Sequence, residues 1–356
     1  MPSYIKVSAQ DMKKVAHDAL ILMGLDEYQA NLGADVLNVA DIRGIDTHGI
    51  ARLRHYYNLL NTGKAQAMPN VHLVKDGPIA AMLDCDRGLG ICSGPIAMQI
   101  AIEKAKNVGV GMCSMINMTH CGIQGYYPLM CTEQDMIGMC FVKTGPNSAP
   151  YGGKTAVHGN SPHSIAFPAG YRSPGIMYDM ATTVVAGGKV EMAQRNGEKI
   201  PLDWILDDNG EPTNDPFDFE HRKHGTLQQI AGHKGYCLTV IVELLAATLS
   251  GMTYEGALMV CVDPEIFRPI SELKSDIDDY YYKVKNSPRR DDVDEIFLPG
   301  EIETINTKRA LADGIDLNLA IAEEVLELFK KLGGASEDCT VYDLFNAKED
   351  IYKEDI

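Results

Sequence analysis

The stretch Asp41–Tyr57 reads DIRGIDTHGIARLRHYY, and three of its side chains are suited to act together. Thr47 has the side chain of a helix N-cap, so the pattern predicts a helix opening there and closing near Gly63. Such a helix places His48 in its first turn and stacks His48, Arg52 and Tyr56 at i, i+4 and i+8 on one face. The unpaired N–H groups of a helix start attract a carboxylate. Arg52 is able to bind that carboxylate through two hydrogen bonds, and His48 can give or take a proton near neutral pH. An ordinary solvated helix face carries such triplets too, and spacing alone leaves both readings open. A second histidine, His120, lies in NMTHCGIQGYY at 117–127, after a strand-like run and before glycines that free the backbone. Strand ends are where acid–base histidines often work; a hydrogen-bonded structural histidine is the plainer alternative.

Other motifs point away from chemistry. Gly88-Leu-Gly90-Ile-Cys-Ser-Gly94 follows a strand-like run and precedes a helix-like one, as a Rossmann phosphate loop does. The spacing is one residue too long, Asp84-Cys-Asp86-Arg87 intervenes, and no acidic strand end follows at the expected distance. It reads as a turn and a helix start. His221 and His224 form H-x-x-H and His158 lies near His163, but neither pair has H-E-x-x-H spacing or a clear third ligand, so no metal site is expected. No G-x-S-x-G is present, which leaves a hydrolase, metal-dependent or not, with little support.

The elements that must position these residues divide the chain. Ser8 caps a helix whose apolar positions Met12, Val15, Ala16, Ala19 and Leu20 run to Gly24; Asp26 and Gln29 open a second in the manner of a capping box. Residues 1–75 thus read as a helical module. Beyond Pro78 come β-type runs at Ile79–Leu83, Val110–Ile116, Met136–Val142 and Ser164–Phe167, separated by helical stretches and Gly/Pro-rich loops. Asp207 to Lys223 reads as a polar surface excursion, Gly235 to Met252 as a buried helix, Ser271 to Asp294 as a solvated charged segment, and Thr307 to Leu332 as helix.

At 356 residues the chain is long enough for two or three domains with a large core. Its 32 Lys+Arg against 49 Asp+Glu, a formal charge of -17, exclude the basic footprint of a nucleic-acid or anionic-membrane binder. The nine cysteines are odd in number and never form C-x-x-C, so buried reduced thiols are expected rather than disulfides or zinc. The first residues, MPSYIKVSAQDMKK, contain no apolar signal core, and the cytoplasm is the expected compartment.

Seven separated stretches, taken in order, resemble the malate/L-lactate dehydrogenase family, nicotinamide-dependent 2-hydroxyacid oxidoreductases distinct from the Rossmann lactate and malate dehydrogenases, with ureidoglycolate, sulfolactate and diketogulonate enzymes among them. They are 41–57, NMTHCGIQGYY, APYGGK at 149–154, SIAFP at 164–168, YDMATTVVAGGK at 178–189, AGHKGYCLTVIVELLAATLSG at 231–251 and FLPGEIE at 297–303. The resemblance implies an α+β, non-Rossmann fold: a helical domain, 1–75 joined by C-terminal helices 235–356, and a mostly antiparallel sheet domain, 76–234, that binds the cofactor. It implies a homodimer and a small 2-hydroxy or 2-oxo acid substrate, malate/oxaloacetate first, with lactate/pyruvate and ureidoglycolate/oxalurate as alternatives. A catalytically silent cofactor-binding protein is the alternative from another class.

By the same resemblance, His120 and His48 are the proton donors or acceptors, His120 slightly preferred, and Arg52 clamps the carboxylate with Thr47 and Tyr56 beside it. Asp179 sits near the cofactor, where it is able to orient a histidine. Thr144, Asp179, Met180, Ala181, Thr182, Thr183, His233, Lys234, Pro299, Gly300 and Glu301 match positions that hold the dinucleotide, NAD in the first instance and NADP as the alternative. The chain departs from the family pattern at Val142-Lys143 and at Ser161-Pro-His163. Lys143 is able to reach substrate or a cofactor phosphate, a plain loop lysine being the alternative, and these departures bear on which acid is taken.

Overall fold

The computed structural model describes residues 3–220, 223–347 and 352–353. Ser3–Val7 is a strand, β1, which the helical reading of the first residues did not include. Ser8 ends it and starts α1 (Ala9–Leu22), its hydroxyl accepting the Asp11 N–H at 3.0 Å. The five predicted apolar positions of α1 are all buried. In α2 (Glu27–Ile42) the Asp26 carboxylate accepts the Gln29 N–H at 2.8 Å. The third helix differs from expectation. Asp46–His48 and Ile50–Arg52 are two separate 3-10 turns, and α3 (Leu53–Asn61) begins only after them. Thr47 caps nothing, because Gly49, at ψ -142°, breaks the run and turns the chain back onto the end of α2.

The remaining elements follow in order: β2 (His72–Asp76), β3 (Ala80–Asp84), α4 (Gly90–Val108), β4 (Val110–Ile116), α5 (Tyr126–Thr132), β5 (Ile137–Lys143), β6 (His163–Phe167), β7 (Ile176–Met180), α6 (Gly187–Asn196), β8 (Ile205–Leu206), β9 (Pro212–Thr213), β10 (Thr226–Leu227), α7 (His233–Ala246), β11 (Gly256–Val262), α8 (Ile270–Lys285), α9 (Glu301–Asp313), β12 (Ile315–Asn318), α10 (Leu319–Lys331), α11 (Val341–Phe345) and β13 (Tyr352–Lys353). A seven-stranded sheet has the order β2-β3-β4-β11-β5-β6-β7. Its β3–β4 pair is parallel and its other pairs are antiparallel, as a mixed α+β fold requires and a doubly wound Rossmann sheet does not.

One face of this sheet, with Cys113, Met115, Cys140, Ala257 and Met259, packs on Met98, Ala101 and Ile102 of α4. A second core gathers α1, α2 and α3 with β12, α10 and α11 around Leu20, Leu37, Leu53, Leu328 and Phe345. Of the segment 235–356, these last elements join the N-terminal module, whereas β11 lies at the centre of the large sheet. Of the stretch expected as a surface excursion, β9 joins a small β10-β8-β9 sheet, beside a core of Val190, Ile205, Phe219 and Leu227. Ser271 onward is the helix α8, amphipathic enough to bury Ile277 and Tyr281, and β12 interrupts the expected helix of 307–332. Gly235–Met252 is helical through α7 but not buried all round. Leu238, Ile241 and Leu244 are 43%, 56% and 48% exposed, because α7 covers the sheet with only one side.

Candidate active site

The loop between α2 and α3 is tied down from below. Asp41, buried at the end of α2, accepts the Ile50 N–H at 2.9 Å, which leaves the intervening turn to project His48. The loop after β4 is held just as closely. Gly90, in the glycine turn that superficially resembles a phosphate loop, donates its N–H to Thr119 Oγ1 at 3.2 Å. A Cβ on Gly90 would sit 2.3 Å from the Thr119 carbonyl oxygen and 2.8 Å from that of His120. The glycine therefore serves close packing of backbone on backbone, as the spacing argument expected of a turn and helix start.

These two loops bring together what the sequence separates. The His48 and His120 rings stack with centroids 5.7 Å apart and planes at 28°. The hydroxyl of Tyr56, a fully buried side chain, lies 2.9 Å from His120 Nδ1. Thr47 Oγ1 is 2.9 Å from His48 Nδ1, and the Arg52 Nε–H donates to the Thr47 carbonyl. Thr47 thus orients both neighbours, although no helix starts at it. The trio His48, Arg52 and Tyr56 converges across two 3-10 turns and α3 rather than along one helix face. His55, which motif reading passed over, adds a third imidazole edge-on to His120 at 5.4 Å. Its only signal in the sequence was adjacency to Tyr56.

Charge follows from burial. Desolvation, then the Arg52 cation, pushes His48 down to about 4. His120 is driven well below its ordinary value by burial, then by His48, His55 and Arg52. Both rings are neutral at pH 7, and Arg52 supplies the positive charge of the cluster. Arg52 also reaches the first turn of α6, where a Cβ on Gly188 would lie 3.3 Å from its Nη2.

Asp179, on β7, does not touch either ring through any described hydrogen bond. Its Oδ2 accepts the Gly125 N–H at 2.7 Å and so pins the turn that follows His120. Burial raises it to about 6, against the pull of that N–H and of Arg43. Arg43 is itself buried, with its Nε unpartnered.

The other sequence-derived positions form a polar belt. Thr144 Oγ1 donates to Asn160 Oδ1 at 2.7 Å and Thr182 Oγ1 to the Asn160 carbonyl at 3.1 Å, so Asn160, just before the Ser161-Pro-His163 departure, is their common anchor. Thr239 of α7 continues the chain, donating to Thr182 Oγ1 at 2.7 Å. Thr183 donates to the Val185 carbonyl at 2.8 Å, Met180 pairs with His163 across β6 and β7, and Ala181 follows at the strand end. His233 and Lys234 are exposed in the first turn of α7, whose N-cap Gly232 has φ +62° and no capping side chain. The Ile230 carbonyl takes the Gly235 N–H at 3.0 Å, and the N–H groups of His233 and Lys234, with no described hydrogen bond, together with the lysine suit an anionic diphosphate.

Pro299 accepts the Met177 N–H at 3.0 Å, and Gly300, at φ +84°, lies so close that a Cβ would sit 2.7 Å from the Met177 carbonyl oxygen. Glu301 is occupied: its carboxylate takes the Tyr281 hydroxyl at 2.5 Å, Lys285 at 2.8 Å and the Leu298 N–H at 2.9 Å, beside a groove of about 810 Å³. Lys143 is also engaged, 3.1 Å from the buried Glu243, which holds the Gly159 N–H and Ser161 as well. Among the described residues no three His, Cys, Asp or Glu side chains group as a metal site; His221 lies outside them.

Comparison with known proteins places the chain in a family. The family model for malate/L-lactate dehydrogenase matches residues 7–326. An L-sulfolactate dehydrogenase of Methanocaldococcus jannaschii is 36% identical over 343 residues, covering 92% of this chain and 98% of the relative. A malate dehydrogenase of Pyrococcus abyssi is 32% identical over 351 residues, covering 93% and 96%. The crystal structure of malate dehydrogenase from Entamoeba histolytica superposes with a TM-score of 0.88 at 28% identity, over 94% of this chain and 99% of that one. With most of the chain matched in sequence and in fold, it belongs to the malate/L-lactate dehydrogenase family and is a dehydrogenase.

Proposed function

We propose that the protein moves a hydride reversibly between a nicotinamide dinucleotide and C2 of a small 2-hydroxy or 2-oxo acid. The observation that carries this reading is the meeting of His48, His120 and Arg52 in one cluster that holds two neutral imidazoles and one guanidinium. Arg52 binds the substrate carboxylate, and the imidazole cluster hydrogen-bonds the C2 oxygen, with His120 the preferred proton carrier and His48 the second. The dinucleotide, when bound, supplies or accepts the hydride. Thr144, Asp179–Thr183, His233, Lys234 and Pro299–Glu301 hold it, and the start of α7, which has no capping side chain, fits its phosphates with Lys234. NAD is the proposed form.

Malate/oxaloacetate is the proposed pair. The relatives named for sulfolactate support that dianion equally, and both acids present a 2-hydroxy carboxylate with a second anionic group. The exposed apolar side of α7 is the proposed contact of a homodimer, and the cytoplasm the proposed compartment. The test is loss of NADH or NADPH absorbance with oxaloacetate, sulfopyruvate, pyruvate and oxalurate in parallel. Turnover of one or more establishes the reaction and ranks the acids. Cofactor binding without turnover of any overturns the proposed chemistry.

A further inference from the structure

Tyr56, placed beside Arg52 at the substrate by the family resemblance, is fully buried, and its hydroxyl meets His120 Nδ1 at 2.9 Å. A hydroxyl beside an imidazole nitrogen can donate or accept, and this contact alone does not fix the direction. The second neighbour does. The Gly122 N–H is directed at the same nitrogen at 3.4 Å, and a backbone amide can only donate. Nδ1 is therefore an acceptor. The reverse arrangement, with hydrogen on Nδ1, would set two hydrogens against each other at Gly122 and leave the Tyr56 hydroxyl hydrogen without an acceptor in a buried site.

We infer that Tyr56 is a positioning residue that, with the Gly122 amide, holds neutral His120 in the tautomer bearing its hydrogen on Nε2. This deepens the proposed function, and its use in catalysis rests on that reading. Nε2 lies across the ring from Tyr56, so the resting enzyme offers a hydrogen-bond donor rather than a lone pair on that edge. A donor complements the C2 oxygen of an oxo acid, which has only lone pairs to offer. Raising the phenol well above its ordinary value, as burial does, keeps the Tyr56 hydroxyl protonated and donating over the whole working range. The arrangement parallels the way a hydrogen bond to one ring nitrogen selects the tautomer at the other.

The test is nitrogen-15 NMR of the histidine-labelled, ligand-free protein, with His120 identified by loss of its signals in His120→Asn. The expected result is a pyrrole-type Nε2 and a pyridine-type, hydrogen-bonded Nδ1. A pyrrole-type Nδ1 overturns the inference without touching the proposed reaction, because no substrate is present. In Tyr56→Phe the Gly122 N–H still points at Nδ1, so the Nε2–H form is expected to stay in excess, with a minor Nδ1–H form appearing beside it and a weaker hydrogen-bond shift at Nδ1. Turnover of the oxo acid is expected to fall about tenfold, the size of one lost hydrogen bond to a site group, with cofactor affinity unchanged. A Tyr56→Phe protein that keeps a single Nε2–H tautomer and full turnover also overturns it.

Discussion

Gly49 lies directly against the carboxylate of Asp41: a Cβ at position 49 would stand 1.7 Å from Asp41 Oδ1. The same carboxylate takes the Ile50 N–H, so a single buried acid at the end of α2 sets where the His48 turn runs. Gly49→Ala is expected to cost about 2 kcal/mol and to lower turnover at least about tenfold, since neither the acid nor the turn has room to yield. Asp41→Asn, which keeps an oxygen for Ile50, should retain more activity than Asp41→Ala. Urea unfolding and steady-state kinetics on the three variants check the order.

Arg52 supplies the positive charge facing the two neutral imidazoles. Arg52→Ala is expected to raise the KM for the acid by about 10- to 100-fold, the worth of a charge-assisted pair, with cofactor affinity unchanged. Arg52→Lys should recover only part of it, because an ammonium lacks the planar two-point fork. An unchanged KM in Arg52→Ala removes the carboxylate-clamp assignment.

His48 makes the fold acid-sensitive. Its ordinary value of 6.5 falls to about 4 in the folded protein. Between these values the unfolded chain binds the extra proton, so stability drops as pH falls from 6.5 to 4, by about 3 kcal/mol in full. Asp179 acts in the opposite sense. Raised from 3.8 to about 6, it keeps its proton in the folded state and loses stability as pH rises through that window. Comparing denaturation of the protein with that of His48→Gln across this range isolates the histidine, and the variant's curve is expected to slope less toward acid.

Lys143 and Glu243 share a buried ion pair at 3.1 Å. Removing the lysine strands the carboxylate, although His158, Gly159 and Ser161 still hold it, so Lys143→Met is expected to cost about 2 kcal/mol of stability. The structural pairing predicts that KM values for the oxo acids stay within about twofold. A selective loss for a dianionic acid at unchanged stability would assign Lys143 to the substrate.

Ile241, more than half exposed on α7, should report on self-association. Ile241→Glu places a charge on an apolar side flanked by Leu238 and Leu244, and sedimentation velocity is expected to show the protein shifted from dimer toward monomer. A monomeric parent protein would end the dimer proposal.

The local chemistry was legible in the chain itself. Ser8 and Asp26 cap helices because a short side-chain oxygen beside free N–H groups is a contact between near neighbours. The β-type runs became β3, β4, β5 and β6 to within a residue or so, since their apolar content suits a sheet with covered faces. The Gly88–Gly94 spacing excluded a Rossmann loop for reasons of distance along the chain alone. His48, Arg52 and His120 were recognisable by type and by family motif, and they do meet.

What the tertiary structure decided was the partner of each group. Tyr56 and His120 are 64 residues apart, and no periodicity says that a tyrosine one turn beyond Arg52 meets a histidine in the loop after β4. Lys143 finds Glu243 because β5 runs beside β11 under α7, an arrangement set by sheet order. The helix expected from Thr47 gave way to two turns because Asp41 captures Ile50 and Gly49 permits it. A local preference worth a few tenths of a kcal/mol per residue yields to a buried hydrogen bond to a carboxylate, whose loss costs more.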